Sequence, residues 1–187
     1  MMCENLSWEH ICKNCQIVFL TPSLYERTIN NTTVYSFYKY SEIKNLLYKK
    51  HSDLGFYIYN ILAKNSFKKF ADNFSYPHKV NSIGVDEDSK DGYSHTAILN
   101  KSLKNNLITP LHGKLLATNK VKYSGKSKEY RLLHPRQFKL EAFEGDEVII
   151  VDDIITTGYT LTQAIDTLKY KDKNILFCIT LADVSLQ

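Results

Sequence analysis

A buried strand, a short turn, an amphipathic helix and a second buried strand follow one another near the end of the sequence, and this succession restricts the possible folds most. Residues 148–151 are four consecutive apolar side chains, which is typical of a strand covered on both faces of a sheet. Residues 161–168 carry apolar side chains at positions i, i+3, i+4 and i+7, the spacing of a buried helix face. Residues 175–182 indicate the second strand. Because a strand–helix–strand unit places its two strands in parallel, the sequence predicts an α/β fold with a parallel central sheet.

Earlier parts of the chain alternate between the same two kinds of pattern. They predict strands at residues 34–40, 80–85 and 115–118. A 3.6-residue apolar periodicity over residues 43–74 predicts one long amphipathic helix, and residues 94–104 indicate a shorter one. Such an alternation of helices and strands fits an α/β domain.

The turn between the strand at 148–151 and the following helix is rich in groups that bind anions and hydroxyls. Two carboxylates, Asp152 and Asp153, directly follow the apolar run. Free backbone N–H groups at a helix N-terminus attract phosphate, and Gly158 allows close approach of the backbone. A pair of carboxylates can accept hydrogen bonds from the two hydroxyls of a ribose. We therefore predict a phosphate-binding segment beside a ribose site, and we call residues 156–160 the phosphate turn; its members are Thr156, Thr157, Gly158, Tyr159 and Thr160.

Two other interpretations of this stretch are possible. An apolar strand ending in Asp-Asp also occurs in NTPases as the Walker B strand, which requires a P-loop elsewhere. The tripeptide at 125–127, Gly-Lys-Ser, matches only the end of a P-loop, because its first glycine would fall on Lys120. The other alternative is a purely structural strand and helix cap, for which two Asp and three Thr are costly residues.

Residues 148–160 resemble the phosphoribosyl-pyrophosphate (PRPP) signature of type I phosphoribosyltransferases. That signature has four apolar residues, Asp-Asp, two variable residues, Thr-Thr-Gly, one variable residue and Thr, and every fixed position is filled here. The resemblance implies the type I phosphoribosyltransferase fold, with Asp152 and Asp153 at the ribose hydroxyls and the phosphate turn at the 5′-phosphate. It also implies PRPP or a nucleotide monophosphate as ligand. If the chain is an active enzyme, it is then a glycosyltransferase that moves phosphoribose to a nitrogenous base with Mg²⁺.

The most basic part of the chain lies just before this motif. Residues 119–139 contain seven Lys or Arg and a single acid, a net charge of +6 in a chain whose total is +4. Such a segment attracts polyanions. In a phosphoribosyltransferase, Lys126 would assist catalysis by neutralising the leaving pyrophosphate, while Arg131 and Arg136 would hold phosphate oxygens. The alternative is a solvated charged loop.

Three of the four cysteines lie within the first sixteen residues. Cys12 and Cys15 have the spacing of half a zinc ribbon, and Cys3 and His10 are candidates for the remaining zinc ligands. A second C-x-x-C would need a cysteine at position 6, which is Leu6. An intact zinc site and a set of reduced thiols left from a lost ribbon both remain open, whereas a disulfide is not expected in a cytosolic chain.

A cysteine-containing N-terminus before a phosphoribosyltransferase domain resembles the ComF family, whose members are linked to DNA uptake in competent bacteria. Further likeness lies at residues 91–99 and in the basic stretch 123–138. We therefore expect a small zinc-ribbon-like segment at 1–20 and a phosphoribosyltransferase-like domain at 30–187. Asp91 departs from the family, where Arg is common, and three acids precede it at 86–88. An acidic loop would repel pyrophosphate unless Mg²⁺ bridges the two.

The alternative function is that of a non-catalytic competence factor. The cysteine segment and the basic stretch would then engage single-stranded DNA or a helicase partner, since Tyr123 and Tyr130 alternate with Lys and Arg there. No apolar run reaches the roughly 20 residues of a membrane-spanning helix. The N-terminus also lacks the charged start and apolar stretch of a signal peptide. A cytoplasmic protein without a membrane segment is expected.

Overall fold

The computed structural model describes residues 3, 7–50, 52–87, 92–119, 130 and 136–186, and within them a seven-stranded mixed sheet forms the centre of the molecule. In chain order the strands are β1 (Tyr25–Ile29), β2 (Thr32–Lys39), β3 (Val80–Val85), β4 (Ile108–Ala117), β5 (Phe138–Leu140), β6 (Glu147–Ile155) and β7 (Asn174–Asp183). Their spatial order is β1-β2-β7-β6-β3-β4-β5. Each pair from β2 to β4 in this order is parallel, and the edge strands β1 and β5 are antiparallel to their neighbours. The predicted α/β architecture with a parallel central sheet is confirmed.

The described helices are α1 (Lys13–Phe19), α2 (Tyr40–Leu47), α3 (Asp53–Ala63), α4 (Lys69–Asn73), α5 (His95–Ser102) and α6 (Tyr159–Lys169). A π-helical turn, Lys64–Lys68, joins α3 to α4. The prediction of one continuous helix over 43–74 is wrong, because α2 ends at Leu47 and a new helix begins at Asp53. Ser52 has the extended backbone of an N-cap residue, and Asp53 supplies a negative charge to the first turn.

Strand β6 lies in the interior of the sheet between β3 and β7, and all four residues of 148–151 are fully buried. Successive side chains of a strand point to opposite faces. Val148 and Ile150 accordingly belong to the core that contains the buried stripe of α6. Ile149 and Val151 belong to the core on the other face, which contains buried residues of α2, α3 and α5. The sheet is therefore covered on both faces, and the predicted β6–α6–β7 unit is confirmed.

The edge strand β1 is joined to β2 by a two-residue hairpin turn. Asn30 and Asn31 form this turn, and both have positive φ values, 48° and 56°. Two consecutive left-handed residues make the turn type whose twist matches a β-hairpin. The Asn30 side-chain amide donates to Asp166 of α6 at 2.7 Å. The hairpin is thus attached to the helix that follows the phosphate turn.

The N-terminal segment packs on the same core as α2 and α3. Ile11, Cys15 and Leu20 are buried there, and the hydroxyl of Tyr38 on β2 donates to the carbonyl of Leu20 at 2.8 Å. Among the described helices, none combines the length and the apolar character that crossing a membrane would require.

We predict that the hairpin turn tolerates glycine but not a β-branched residue at position 31. Asn31→Ile should lower the free energy of unfolding by about 1–2 kcal/mol, because a β-branched side chain is strained at positive φ. Asn31→Gly should leave the stability within about 0.5 kcal/mol of the wild type. Urea unfolding of the three proteins measures both effects, and equal midpoints would contradict the described turn.

Candidate functional site

The two carboxylates predicted to form the site lie near the carboxyl end of β6. Asp153 Oδ2 accepts a hydrogen bond from the Tyr59 hydroxyl at 3.3 Å and forms an ion pair with Lys50 Nζ at 3.5 Å. Its other oxygen accepts from the backbone N–H of Ile154 at 2.7 Å. Asp152 Oδ1 accepts from the backbone N–H of Asp153 at 2.8 Å. Asp153 therefore has the better compensated charge of the two.

The pKa values of the two carboxyls are shifted in opposite directions. Burial and the charge of Asp153 raise the pKa of Asp152 to about 8. Burial also opposes ionisation of Asp153, but the nearby Lys50 and His95 lower the pKa of Asp153 below its ordinary value. The acid pair consequently ionises first at Asp153, and Asp152 keeps its proton to a much higher pH.

Four residues around the acid pair had no assigned role in the sequence. Tyr59 lies fully buried on α3, and Lys50 lies in the turn between α2 and α3. The Lys50 carbonyl accepts from the hydroxyl of Tyr93 and from Nε2 of His95, the latter at 2.6 Å. Tyr93 and His95 belong to the segment 91–99 that the sequence singled out. Lys50 and Tyr59 gave no signal, because they fall within the region predicted as one long helix.

The phosphate turn follows β6 directly and leads into α6. Gly158 is the N-cap residue of α6 and has a φ of 80°, which is strained for any residue with a side chain. A β-carbon at this position would also collide with Cδ1 of Ile29 on β1. Thr157 is exposed, and its hydroxyl accepts weakly from the N–H of Tyr159 at 3.5 Å. Thr156 and Thr160 flank this stretch, so the five residues form the direct connection from β6 to the first turn of α6.

The basic segment is described only at its ends and at residue 130, and the candidates Lys126 and Arg131 lie outside the described residues. Arg136 forms an ion pair with Asp86, and its backbone N–H donates to Gln163 of α6 at 2.9 Å. The positive charge of Arg136 also lowers the pKa of Asp152, against the larger effects of burial and Asp153. Arg136 is therefore close enough to the Asp152 carboxyl to influence its ionisation.

The acids at 86 and 87 are both engaged within the protein. Asp86 pairs with Arg136. The Glu87 carboxylate is almost fully buried and accepts from Nδ1 of His112 at 3.0 Å and from the N–H of Gly113 at 2.9 Å. Asp86 and Glu87 therefore both have partners within the protein. Asp88 and Asp91 lie outside the described residues.

A second candidate site lies at the N-terminus. The sulfur atoms of Cys3, Cys12 and Cys15 all lie within 4.8 Å of one another, with Cys3 and Cys12 at 3.1 Å. Hydrogen bonds with the other two sulfurs raise the pKa of Cys15 to about 12. His10 is not a member of this group, and its ring stacks on Tyr57 with centroids 4.0 Å apart. The predicted proximity of the three cysteines is confirmed, and a bound zinc stays a prediction.

The comparison with protein families identifies one domain in this chain. The family model described as "Phosphoribosyl transferase domain" matches residues 101–185. The match includes strands β4 to β7, the acid pair and the phosphate turn. Together with the sheet topology and the cysteine cluster, it confirms the predicted fold class, a phosphoribosyltransferase-like α/β fold with a small cysteine-containing N-terminal segment.

Solved structures of several phosphoribosyltransferases are similar to the chain. A hypoxanthine phosphoribosyltransferase from Staphylococcus aureus is 16% identical, with 67% of this chain and 62% of that chain covered and a TM-score of 0.42. The UMP synthase of Leishmania donovani is 16% identical, with 67% and 22% covered and a TM-score of 0.40. An adenine phosphoribosyltransferase is 16% identical, with 91% and 89% covered and a TM-score of 0.44. The chain spans less than two thirds of the first two proteins. No curated protein matches it significantly.

We predict that Asp152→Asn makes the protein more stable at alkaline pH. A carboxyl whose pKa is raised on folding binds its proton more tightly in the folded state, so its contribution to stability falls as the pH rises. This loss begins near the unfolded pKa of about 3.9 and is complete above about pH 8. The variant should gain about 0.5–2 kcal/mol at pH 9 and much less at pH 4.5.

Urea unfolding at both pH values measures this effect. Asp172→Asn provides the matched control, because Asp172 is exposed and the same chemical change there should alter stability equally little at both pH values. A gain at Asp152 that does not depend on pH would contradict the assignment of a raised pKa to this carboxyl.

Proposed function

We propose that this chain binds PRPP at the carboxyl end of β6 and transfers its phosphoribosyl group to a nitrogenous base. The observation that carries the proposal is the complete PRPP signature, which includes the acid pair and ends at the N-terminus of α6. The whole signature lies within the part of the chain that matches the family model. A helix N-terminus with a glycine at its cap is suited to a phosphate monoester. Two adjacent carboxylates are suited to a ribose diol.

The two carboxyls differ in what they offer to a ribose. Ionised Asp153 accepts a hydrogen bond from one hydroxyl as a charged acceptor, which is the stronger kind of bond. Asp152 has a raised pKa because its charge is poorly compensated, and a cationic ligand or metal beside it would favour ionisation. Tyr59 and Lys50 hold Asp153 from the side of α3 and so orient its carboxylate.

Mg²⁺ fits the donor set of the acid pair, since carboxylate oxygens are hard ligands of the kind this ion prefers. When bound with PRPP, Mg²⁺ would neutralise the negative charge that develops on the leaving pyrophosphate. Arg136 lies close enough to affect Asp152 and is proposed to hold pyrophosphate oxygens. Lys126 and Arg131 are proposed to close over the same group from the basic segment.

Zinc is proposed for the cysteine cluster. Three sulfur atoms within 4.8 Å are compatible with three corners of a tetrahedral site, because zinc lies about 2.3 Å from each thiolate. Zinc binding would also deprotonate the three thiols, whose mutual hydrogen bonds otherwise favour the protonated form of Cys15. His10, the predicted fourth ligand, lies outside this group and would have to leave its stacking on Tyr57 to reach the metal.

The link to DNA uptake rests on the ComF resemblance alone. The alternative of a competence factor that binds single-stranded DNA or a helicase depends on free cations in the basic segment. Within the described part of that segment, Arg136 pairs with Asp86 and Lys139 pairs with Glu141. The transferase proposal is favoured because it accounts for the complete PRPP signature at residues 148–160, which DNA binding leaves without a role.

We predict that Asp153→Asn weakens PRPP binding by about ten- to a hundredfold. The substitution removes a charge-assisted hydrogen bond, which is worth roughly 1.5–3 kcal/mol. Isothermal titration with PRPP and Mg²⁺ measures the affinity. Asp146→Asn, in which the replaced side chain is 79% exposed, is the matched control and should bind like the wild type. Pyrophosphate release on addition of purine or pyrimidine bases tests transfer, and a wild type that does not bind PRPP would disprove the proposal.

We predict that the purified full chain contains zinc and that Cys12→Ser and Cys15→Ser abolish it. Each substitution removes a thiolate from the three-sulfur cluster. Elemental analysis by mass spectrometry measures the zinc content per chain. Cys178→Ala is the control, because Cys178 is buried in β7 and is not a member of the cluster. Equal zinc contents in all four proteins, or none in the wild type, would refute the site.

A further inference from the structure

We infer that Arg27, on the edge strand β1, is a positioning residue for the phosphate turn. Its guanidinium Nη2 donates a hydrogen bond to the backbone carbonyl of Thr156 at 2.9 Å. The inference deepens the proposed function and rests on it, because the turn that Arg27 holds is the proposed 5′-phosphate site. Nothing in the sequence pattern of β1 indicates such a role.

The guanidinium of Arg27 is held by two further groups. Nη1 donates to the Ser185 hydroxyl at 2.7 Å, and Nε lies 3.1 Å from Oδ2 of Asp183, at the end of β7. The Arg27 side chain is 23% exposed, whereas that of Asp183 is only 2% exposed. A buried carboxylate is costly unless it is paired and hydrogen-bonded. Ser185 donates both its N–H and its hydroxyl to Asp183, and Arg27 supplies the countercharge.

This arrangement requires the planar fork of an arginine. Two hydrogen bonds, from Nη1 and Nη2, and the ion pair between Nε and Asp183 orient the guanidinium, so that its Nη2 is directed at a single carbonyl. A lysine would keep the charge beside Asp183 but has one nitrogen, which cannot reach the three partners together. Because Asp183 balances the charge, Arg27 acts on the turn through geometry rather than through long-range attraction.

Anchoring the carbonyl of Thr156 also fixes the next backbone donor. The described peptide bonds are all trans, and in a trans peptide the carbonyl and the N–H point in opposite directions. With its carbonyl held toward Arg27, the peptide that joins Thr156 to Thr157 directs its N–H away from β1, where the proposed phosphate would bind. Ile29, two residues further along β1, packs against Gly158. The edge strand therefore supports the turn at two points.

The first experiment measures ligand affinity in Arg27→Met and Arg27→Lys. Both variants should bind PRPP about tenfold or more weakly than the wild type, since both lose the contact to Thr156. Pyrophosphate with Mg²⁺, which does not use the phosphate turn, should bind all three proteins equally. Ile108→Ala is the control for stability, because it opens the buried core at β4, which lies far from β1 in the strand order.

The second experiment needs no ligand. Hydrogen–deuterium exchange of the amides at 157–160 should accelerate about tenfold or more in Arg27→Met, while exchange in α3 stays unchanged. Wild-type affinity for PRPP in Arg27→Lys, or unchanged exchange in the turn, would overturn the inference. If the wild type does not bind PRPP, the proposed function fails, and the exchange data alone decide whether Arg27 holds the turn.

Discussion

Two carboxylates that directly follow the fully buried residues 148–151 of β6 are the constraint around which the rest of the site is arranged. Strand β6 can be buried on both faces only if the charges near its carboxyl end find partners there. The partners come from three separate parts of the chain: Lys50 before α3, Tyr59 within α3, and Arg136 before β5. These partners compensate the charge of Asp153 better than that of Asp152. For this reason the pKa of Asp153 is lowered while that of Asp152 is raised. At neutral pH the Asp153 carboxyl is therefore ionised, whereas the Asp152 carboxyl keeps its proton unless a cation lies beside it.

The part of the site that could be predicted from the sequence is the part encoded locally. An apolar run, two acids, a threonine-rich turn and a helical stripe lie within about twenty consecutive residues, and their order alone indicates a strand, a ligand turn and a helix. The parts that could not be predicted depend on distant segments. Lys50 falls within the stretch predicted as one long helix, whereas in the structure it lies in the turn before Ser52, the N-cap residue of α3. No local sequence pattern marks Arg27 or Asp183. Their role depends on the folded structure, in which Arg27 of β1 contacts both Asp183 of β7 and the phosphate turn.

Helix α3 connects the two candidate sites. Tyr59 reaches Asp153 from this helix, while Leu54 and Ile58 of the same helix line a cavity of about 440 Å³ together with the three clustered cysteines. The π-helical turn that follows α3 is held to α1, because the side chain of Asn65 donates to Gln16 at 2.8 Å. The cysteine segment is therefore built onto the element that orients the acid pair, and a displacement of α3 would alter both sites.

The contacts of Arg27 also bear on when the phosphate turn acquires its shape during synthesis. Arg27 and Thr156 are separated by 129 positions, and Arg27 and Ser185 by 158. Contacts over such distances form late, since a long loop must close before they contribute to stability. On a ribosome, β1 can pair with β2 early, but the guanidinium of Arg27 lacks its distant partners until residue 185 has been added. The phosphate turn therefore acquires its full set of contacts only after residue 185 has left the ribosome.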